Sequence, residues 1–210
     1  MNVIETKEMM LFVSKKMVAS EPHLTKLDQT IGDGDHGIGM ERGFKAVTEL
    51  LESDYQAQDV SKLLLKIGTT MMSTMGGASG AIFGTLFRAG AKSIKGATAF
   101  DTPTLSTFLA NGLQGVYERG GAKPGDKTMI DALVAASEEA QTLEGDLATN
   151  LPAISKAAML GVEATKDMIA TTGKAKTLGE RSLGHPDPGA MSMALILQFM
   201  CEFQTEQLAA

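Results

Sequence analysis

Cysteine is nearly missing from this chain: Cys201 is the only one, so an intrachain disulfide is impossible. It lies in the apolar run from Leu195 to Cys201, where a packed thiol is expected rather than a nucleophile. Positive charge is scarce as well. Nineteen Lys and Arg against 25 Asp and Glu leave a formal net charge of −6, and no Lys/Arg-rich run offsets it. That balance argues against a nucleic-acid-binding protein. A bound nucleotide would have to be held by metal and local backbone amides instead. No apolar run approaches the ~18–20 residues of a membrane span. Near the N-terminus, Ser14, Lys15 and Lys16 interrupt any signal-type apolar region. A cytoplasmic protein without membrane contact is the expectation. Period-two alternation of β-branched residues is absent too, so no sheet is expected.

What remains is helical periodicity. Val3, Met10, Val13 and Met17 line one face of a first helix, which Pro22 marks as ended. Met40, Phe44, Val47 and Leu51 line a second, and Val60, Leu63, Leu64, Ile67 and Met71 a third, with Asp59 as its N-cap. The segment from Ala81 to Phe87 is apolar around most of its circumference and reads as a buried helix. Thr102-Pro103 reads as a cap followed by proline, ahead of Leu105, Phe108, Leu109, Leu113 and Val116, and Gly120-Gly121 ends that helix. Thr128 and Asp131 form a capping-box pattern before Leu133 and Val134. Ile154, Ala158, Val162 and Met168 mark a seventh helix with Pro152 near its start, and Asp187-Pro188 opens the last. The expectation is an all-α fold, an eight-helix up-and-down α-barrel or bundle, with residues 1–210 as one domain.

The loops carry the chemistry. In the stretch from Leu27 to Gly37, Asp28, Asp33 and Asp35 fall among Gly32, Gly34 and Gly37. Glycine lets the backbone curl, so the acids can converge on one point. Converged carboxylates raise one another's pKa unless a cation sits between them. Oxygen donors without Cys suit Mg²⁺ or Ca²⁺ rather than Zn²⁺. An EF-hand loop is excluded, because the twelfth position counted from Asp33 is Phe44 and not Glu. Three carboxylates make an incomplete shell, of the kind Mg²⁺ completes with waters and substrate phosphates. Two further loops lead into helices. Gly76-Gly77-Ala78-Ser79-Gly80 offers free N–H groups at a helix start, which suit a phosphate. The loop from Gly179 to Gly189 places Arg181, His185 and Asp187 beside another helix start. Gly125-Asp126-Lys127-Thr128 is not a Walker A loop, since Asp126 separates the glycine from the lysine. His36 and His185, each inside a glycine-rich acidic loop, are the histidines of interest.

These motifs, in this order and together with Pro124-Gly125-Asp126-Lys127-Thr128-Met129, resemble the nucleotide-binding L subunit of bacterial dihydroxyacetone kinase over essentially the whole chain. The resemblance implies an eight-helix α-barrel with ADP or ATP at one end. It implies Mg²⁺ on the residues matching Asp28, Asp33 and Asp35. It implies nucleotide contacts from His36, Gly37, Ile38, Gly39, Ala78, Ser79, Gly120, Met129, Lys174, Asp187, Pro188 and Gly189. Gly39 stands where some relatives carry Asn, and Lys174 where some carry Arg, which would keep the charge but not the bidentate fork. In the phosphotransferase-dependent branch, ADP stays bound as a coenzyme and a phosphohistidine carrier (M-type) subunit rephosphorylates it. The ATP then phosphorylates a small ketose on a separate K-type subunit. A one-domain chain fits this separate-subunit arrangement, and a homodimer is a further expectation. Phosphoryl transfer is mainly positioning and charge neutralisation, so no catalytic side chain is required of the chain itself. Rival readings of the same residues are a non-catalytic nucleotide-sensing module, a metal-dependent phosphatase, and a relay protein phosphorylated on His36 or His185.

Overall fold

A computed structural model describes residues 1–209; Ala210, the last position of the expected domain, lies outside them. The described residues form nine α-helices and no strand. They are α1 (Val3–Ala19), α2 (Glu21–Ile31), α3 (His36–Glu52), α4 (Val60–Thr74), α5 (Gly77–Ser93), α6 (Thr102–Gly120), α7 (Met129–Thr142), α8 (Leu147–Ala164) and α9 (Pro188–Ala209). Two 3-10 segments, Thr165–Asp167 and Lys174–Ser182, lie between α8 and α9. Each helix from α3 to α9 packs on the next, α9 returns to α1, and α1 packs on α3. Eight helices therefore close a ring, as the periodicity predicts. The ninth, α2, packs on α3 and also touches α9.

The extra helix corrects the reading of Pro22 and of the acidic loop. Pro22 falls in the first turn of α2, where its missing N–H removes no helical bond, so the chain restarts a helix as soon as α1 ends. Asp28 consequently sits on a helix and not in a loop. Two other boundaries shift. The N-cap of α6 is Asp101, whose Oδ1 accepts from the Thr104 N–H at 2.9 Å, one residue before the expected Thr102. The N-cap of α8 is Asp146, so that helix begins early enough to place Pro152 in its interior, and it ends before Met168. Asp59 caps α4, and Thr128 with Asp131 forms the capping box of α7.

The ring is filled by apolar side chains, with Phe44, Phe83, Phe87 and Phe100 fully buried among Met9, Met10, Met17 and Met40. Burying one such side chain contributes about 1.5–3 kcal/mol. Cys201 is a free, partly buried thiol packed at the edge of this core. The α4–α5–α6 wall is tighter still. A Cβ on Gly84 would stand 2.6 Å from the Met72 Cβ, and one on Gly90 would stand 2.6 Å from the Phe108 carbonyl oxygen. Among the described residues no helix is long and apolar enough to cross a membrane.

Candidate functional site

In an up-and-down ring every second helix starts at the same end. Here α3, α5, α7 and α9 start together, and their first residues line one pocket of about 620 Å³. His36 and Gly39 come from α3, Gly77, Ala78 and Ser79 from α5, Met129 and Ile130 from α7, and Pro188 and Gly189 from α9. Unpaired N–H groups and the positive ends of the helix dipoles make such a convergence favourable to an anion. At the α5 start this is pronounced. Gly76, at φ +76°, adopts a left-handed turn suited to glycine and provides no capping side chain. Arg42 braces that turn, donating from Nε to the Thr74 carbonyl at 2.8 Å and from Nη2 to the Met75 carbonyl.

The acid cluster stands at the α2–α3 side. One oxygen from each of Asp28, Asp33 and Asp35 lies within 4.8 Å of the others. Asp28, on the last turn of α2, is tied to α3 by accepting the His36 backbone N–H at 3.1 Å. Gly37 makes that approach feasible, since a Cβ there would lie 2.5 Å from the Thr25 backbone nitrogen on α2. Asp35 occupies the N-cap of α3 but makes no capping bond, leaving its carboxylate free for another partner. That partner is Lys174, whose ammonium bonds Asp33 and lies 2.8 Å from Asp35 Oδ2. Lys174 holds the Asp33 carboxyl below the usual carboxylate range, and the two aspartates hold the ammonium above its ordinary range. All three groups are about half exposed or more, so this pairing adds little stability. Its interest is chemical: a cation already sits where the carboxylates converge.

His36 ties the cluster to the far wall. Its Nδ1 lies 3.2 Å from Ser79 Oγ and its Nε2 2.8 Å from Ser192 Oγ, joining α3, α5 and α9. Burial pushes the imidazole pKa down, against the opposing pull of Asp28 and Asp35. Asp187 caps α9 by accepting the Ala190 N–H at 2.7 Å, and burial raises its carboxyl to about 7. On the α5–α6–α7 side the lining turns apolar, with Ile82, Phe83, Val116, Ala122 and Ile130.

The metal and nucleotide residues that the resemblance implies are therefore brought together with one exception. Asp28, Asp33, Asp35, His36, Ile38, Gly39, Ala78, Ser79, Gly120, Met129, Lys174, Asp187, Pro188 and Gly189 all line the pocket. Gly37 does not; it is buried against α2. His185 and Arg181 lie off the lining as well. A Cβ on Gly39 would meet only the Met75 carbonyl oxygen, at an ordinary 3.5 Å. Sequence reasoning missed Arg42 and Ser192, and it met Lys127 as a residue out of place for a Walker loop and as part of the Pro124–Met129 motif, without giving its side chain a role.

The fold and pocket define an all-α ligand-binding domain whose site is built from helix N-termini and an acidic cluster. Residues 30–202 match the DAK2 domain, and the chain belongs to that family. It is 40% identical over 181 residues to the ADP-binding subunit DhaL of the PEP-dependent dihydroxyacetone kinase of Escherichia coli (strain K12), covering 85% of this chain and 86% of that one. It is 36% identical over 189 residues to the ADP-binding subunit DhaL of the PTS-dependent dihydroxyacetone kinase of Lactococcus lactis subsp. lactis (strain IL1403), covering 90% and 91%. Among solved structures it superposes on the dihydroxyacetone kinase of C. freundii in complex with AMP-PNP and Mg²⁺, with a TM-score of 0.71 and 30% identity. That match covers 93% of this chain but 33% of the longer kinase.

Proposed function

We propose that this chain is the ADP/ATP-binding subunit of a dihydroxyacetone (small ketose) kinase, a cytoplasmic phosphotransferase component in which residues 1–210 act as one nucleotide-binding domain. The observation that carries the reading is the convergence of four helix N-termini on one pocket with the Asp28–Asp33–Asp35 cluster at its edge. The helix starts at Ala78, Ser79, Met129 and Gly189 receive the phosphates and adjoining groups of the nucleotide, and the apolar lining around Ile82, Phe83 and Val116 receives the base. An all-oxygen, triply acidic donor set with a cation already drawn to its focus fits a hard divalent ion such as Mg²⁺. When bound, that ion supplies neutralisation of phosphate charge. The chain's own residues bind, orient and exclude water. Neutral His36 fixes the relative position of the α3, α5 and α9 starts, and Lys174 offers a positive charge to the phosphates.

On this reading the phosphoryl donor is a phosphohistidine carrier (M-type) subunit that regenerates ATP on the chain, and the acceptor is a ketose held by a K-type subunit. The relatives that match nearly end to end are ADP-binding subunits of PEP- and PTS-dependent kinases, which supports a resident ADP. Native mass spectrometry before and after EDTA tests the proposal. ADP and Mg²⁺ that copurify and leave together on chelation support a resident coenzyme. A protein that binds only added Mg·ATP, and weakly, points to an exchangeable-ATP kinase. No nucleotide under any condition removes the kinase reading.

A further inference from the structure

Lys127 is the one non-glycine residue with positive φ among the described residues, at +60°, and it is 2% exposed. A left-handed backbone favours glycine or asparagine, so lysine is an unexpected occupant. The turn that holds it is fixed by Asp131, whose Oδ1 accepts from the Gly125 N–H at 2.6 Å and Oδ2 from the Thr128 N–H at 2.7 Å. From this turn Nζ reaches the neighbouring α8–α9 connection. It donates to the Thr165 carbonyl at 2.5 Å and to the His185 carbonyl at 2.6 Å. Those carbonyls stand at the two ends of the segment 165–187 that links α8 to α9.

The same two ends are joined by weaker, neutral contacts. The Asp187 N–H donates to Thr165 Oγ1 at 2.9 Å, and the Gly184 N–H to the Lys166 carbonyl at 2.8 Å. Beyond them the segment is mostly exposed, and it carries Lys174 to Asp33 and Asp35. A buried ammonium bonded to both ends is thus the anchor from which the segment extends. Burial pulls its pKa down, against the opposing pull of the nearby Asp187, Asp131 and Asp167.

We propose that Lys127 is a positioning residue: its ammonium clasps both ends of the 165–187 segment, and so holds Lys174 over the acid cluster and Asp187 in the pocket wall. The clasp stands on geometry alone. Its effect on ligand binding rests on the nucleotide reading above.

The test is hydrogen–deuterium exchange of the full chain, combined with calorimetric titration of Mg·ADP, on Lys127→Met, Lys127→Gly and Lys127→Arg. Methionine keeps the buried volume without a donor. Glycine relieves the left-handed backbone while also removing the donor, so a residue serving only the turn would tolerate it. The expected result for both is exchange faster by about tenfold or more within 166–186, with α4, α5 and α6 unchanged, and Mg·ADP affinity lower by about tenfold. Arginine, which keeps the donors, should restore part of the protection. Unchanged exchange within 166–186 in both donorless variants overturns the clasp, as does a rise spread evenly over every helix. If the segment loosens as expected but the wild-type chain takes up no nucleotide, the clasp stands and the nucleotide reading falls.

Discussion

His36 and Ser192 are 156 positions apart in the chain and meet at 2.8 Å, imidazole Nε2 to hydroxyl, inside the pocket end of the ring. With Ser79 on the opposite ring nitrogen, the imidazole is held between two hydroxyls, one on α5 and one on α9. A neutral ring satisfies both, because one nitrogen donates while the other accepts.

Replacing His36 with Ala should therefore strand the fully buried Ser192 hydroxyl, at a cost of about 1–3 kcal/mol. Differential scanning calorimetry should show the lowered Tm, and Mg·ADP affinity should fall with it. The pH profile carries a sign. The folded pKa of His36 lies below the ordinary 6.5, so its contribution is complete above that value and is lost as pH falls through the folded pKa. The melting temperature of the wild type should drop on acidification below about 6.5 more than that of His36→Ala.

Asp187 works in the opposite direction. Its carboxyl is raised from 3.8 to about 7 by burial, so the folded state favours the proton. The associated stability is complete below 3.8 and is lost as pH rises to about 7. Asp187→Asn keeps a capping oxygen for the Ala190 N–H and cannot ionise. It should melt higher than wild type at pH 8, with the gap closing below pH 4. A gap that stays constant across that range would contradict the assignment.

Asp35→Asn removes one charge from the acid cluster at a side chain that is 69% exposed. Stability should change by no more than about 0.5 kcal/mol. Isothermal titration should nonetheless show Mg²⁺-dependent ADP binding abolished. Unchanged affinity with unchanged helicity would sink the placement of the metal.

Gly37→Ala probes the scaffold without touching a ligand. The added methyl would stand 2.3 Å from Thr25 Oγ1 and 2.7 Å from the Glu21 carbonyl oxygen, so α2 must move away from α3. Asp28 moves with it, away from Asp33 and Asp35. The expected cost is about 1–3 kcal/mol of stability, together with a loss of Mn²⁺ affinity measured by electron paramagnetic resonance. Full metal affinity in the variant would show that Asp28 is dispensable.

The ring was legible because every wall of it repeats apolar residues at helical spacing, from Met10-Val13-Met17 to the run ending at Phe203. The acid cluster was legible because its members are close in sequence and separated by glycine. Proline was the ambiguous letter. Pro22 can stop one helix or open another, and only packing on α3 decides. Arg42 and Lys127 were opaque for a different reason. Their partners are backbone carbonyls 33, 38 and 58 positions away, and a carbonyl leaves no mark in the sequence. Ser192 is a lone hydroxyl in the apolar first half of α9, readable as a site residue only once His36 lies against it.

The glycine contacts of the α4–α5–α6 wall bear on how a ligand comes and goes. Where a methyl group on Gly84 or Gly90 would already collide with the neighbouring helix, the wall has no slack to give. The α5 turn at Gly76–Ser79 is mounted on that wall. A ligand is then expected to enter and leave on the opposite side, where an exposed segment of chain reaches over the acids from a single buried ammonium. On that expectation the α5 wall acts as a fixed jaw and the 165–187 segment as the moving one. Dwell time should then follow how often that segment opens, and a substitution far out on it should change dwell time while leaving the bound geometry as it was.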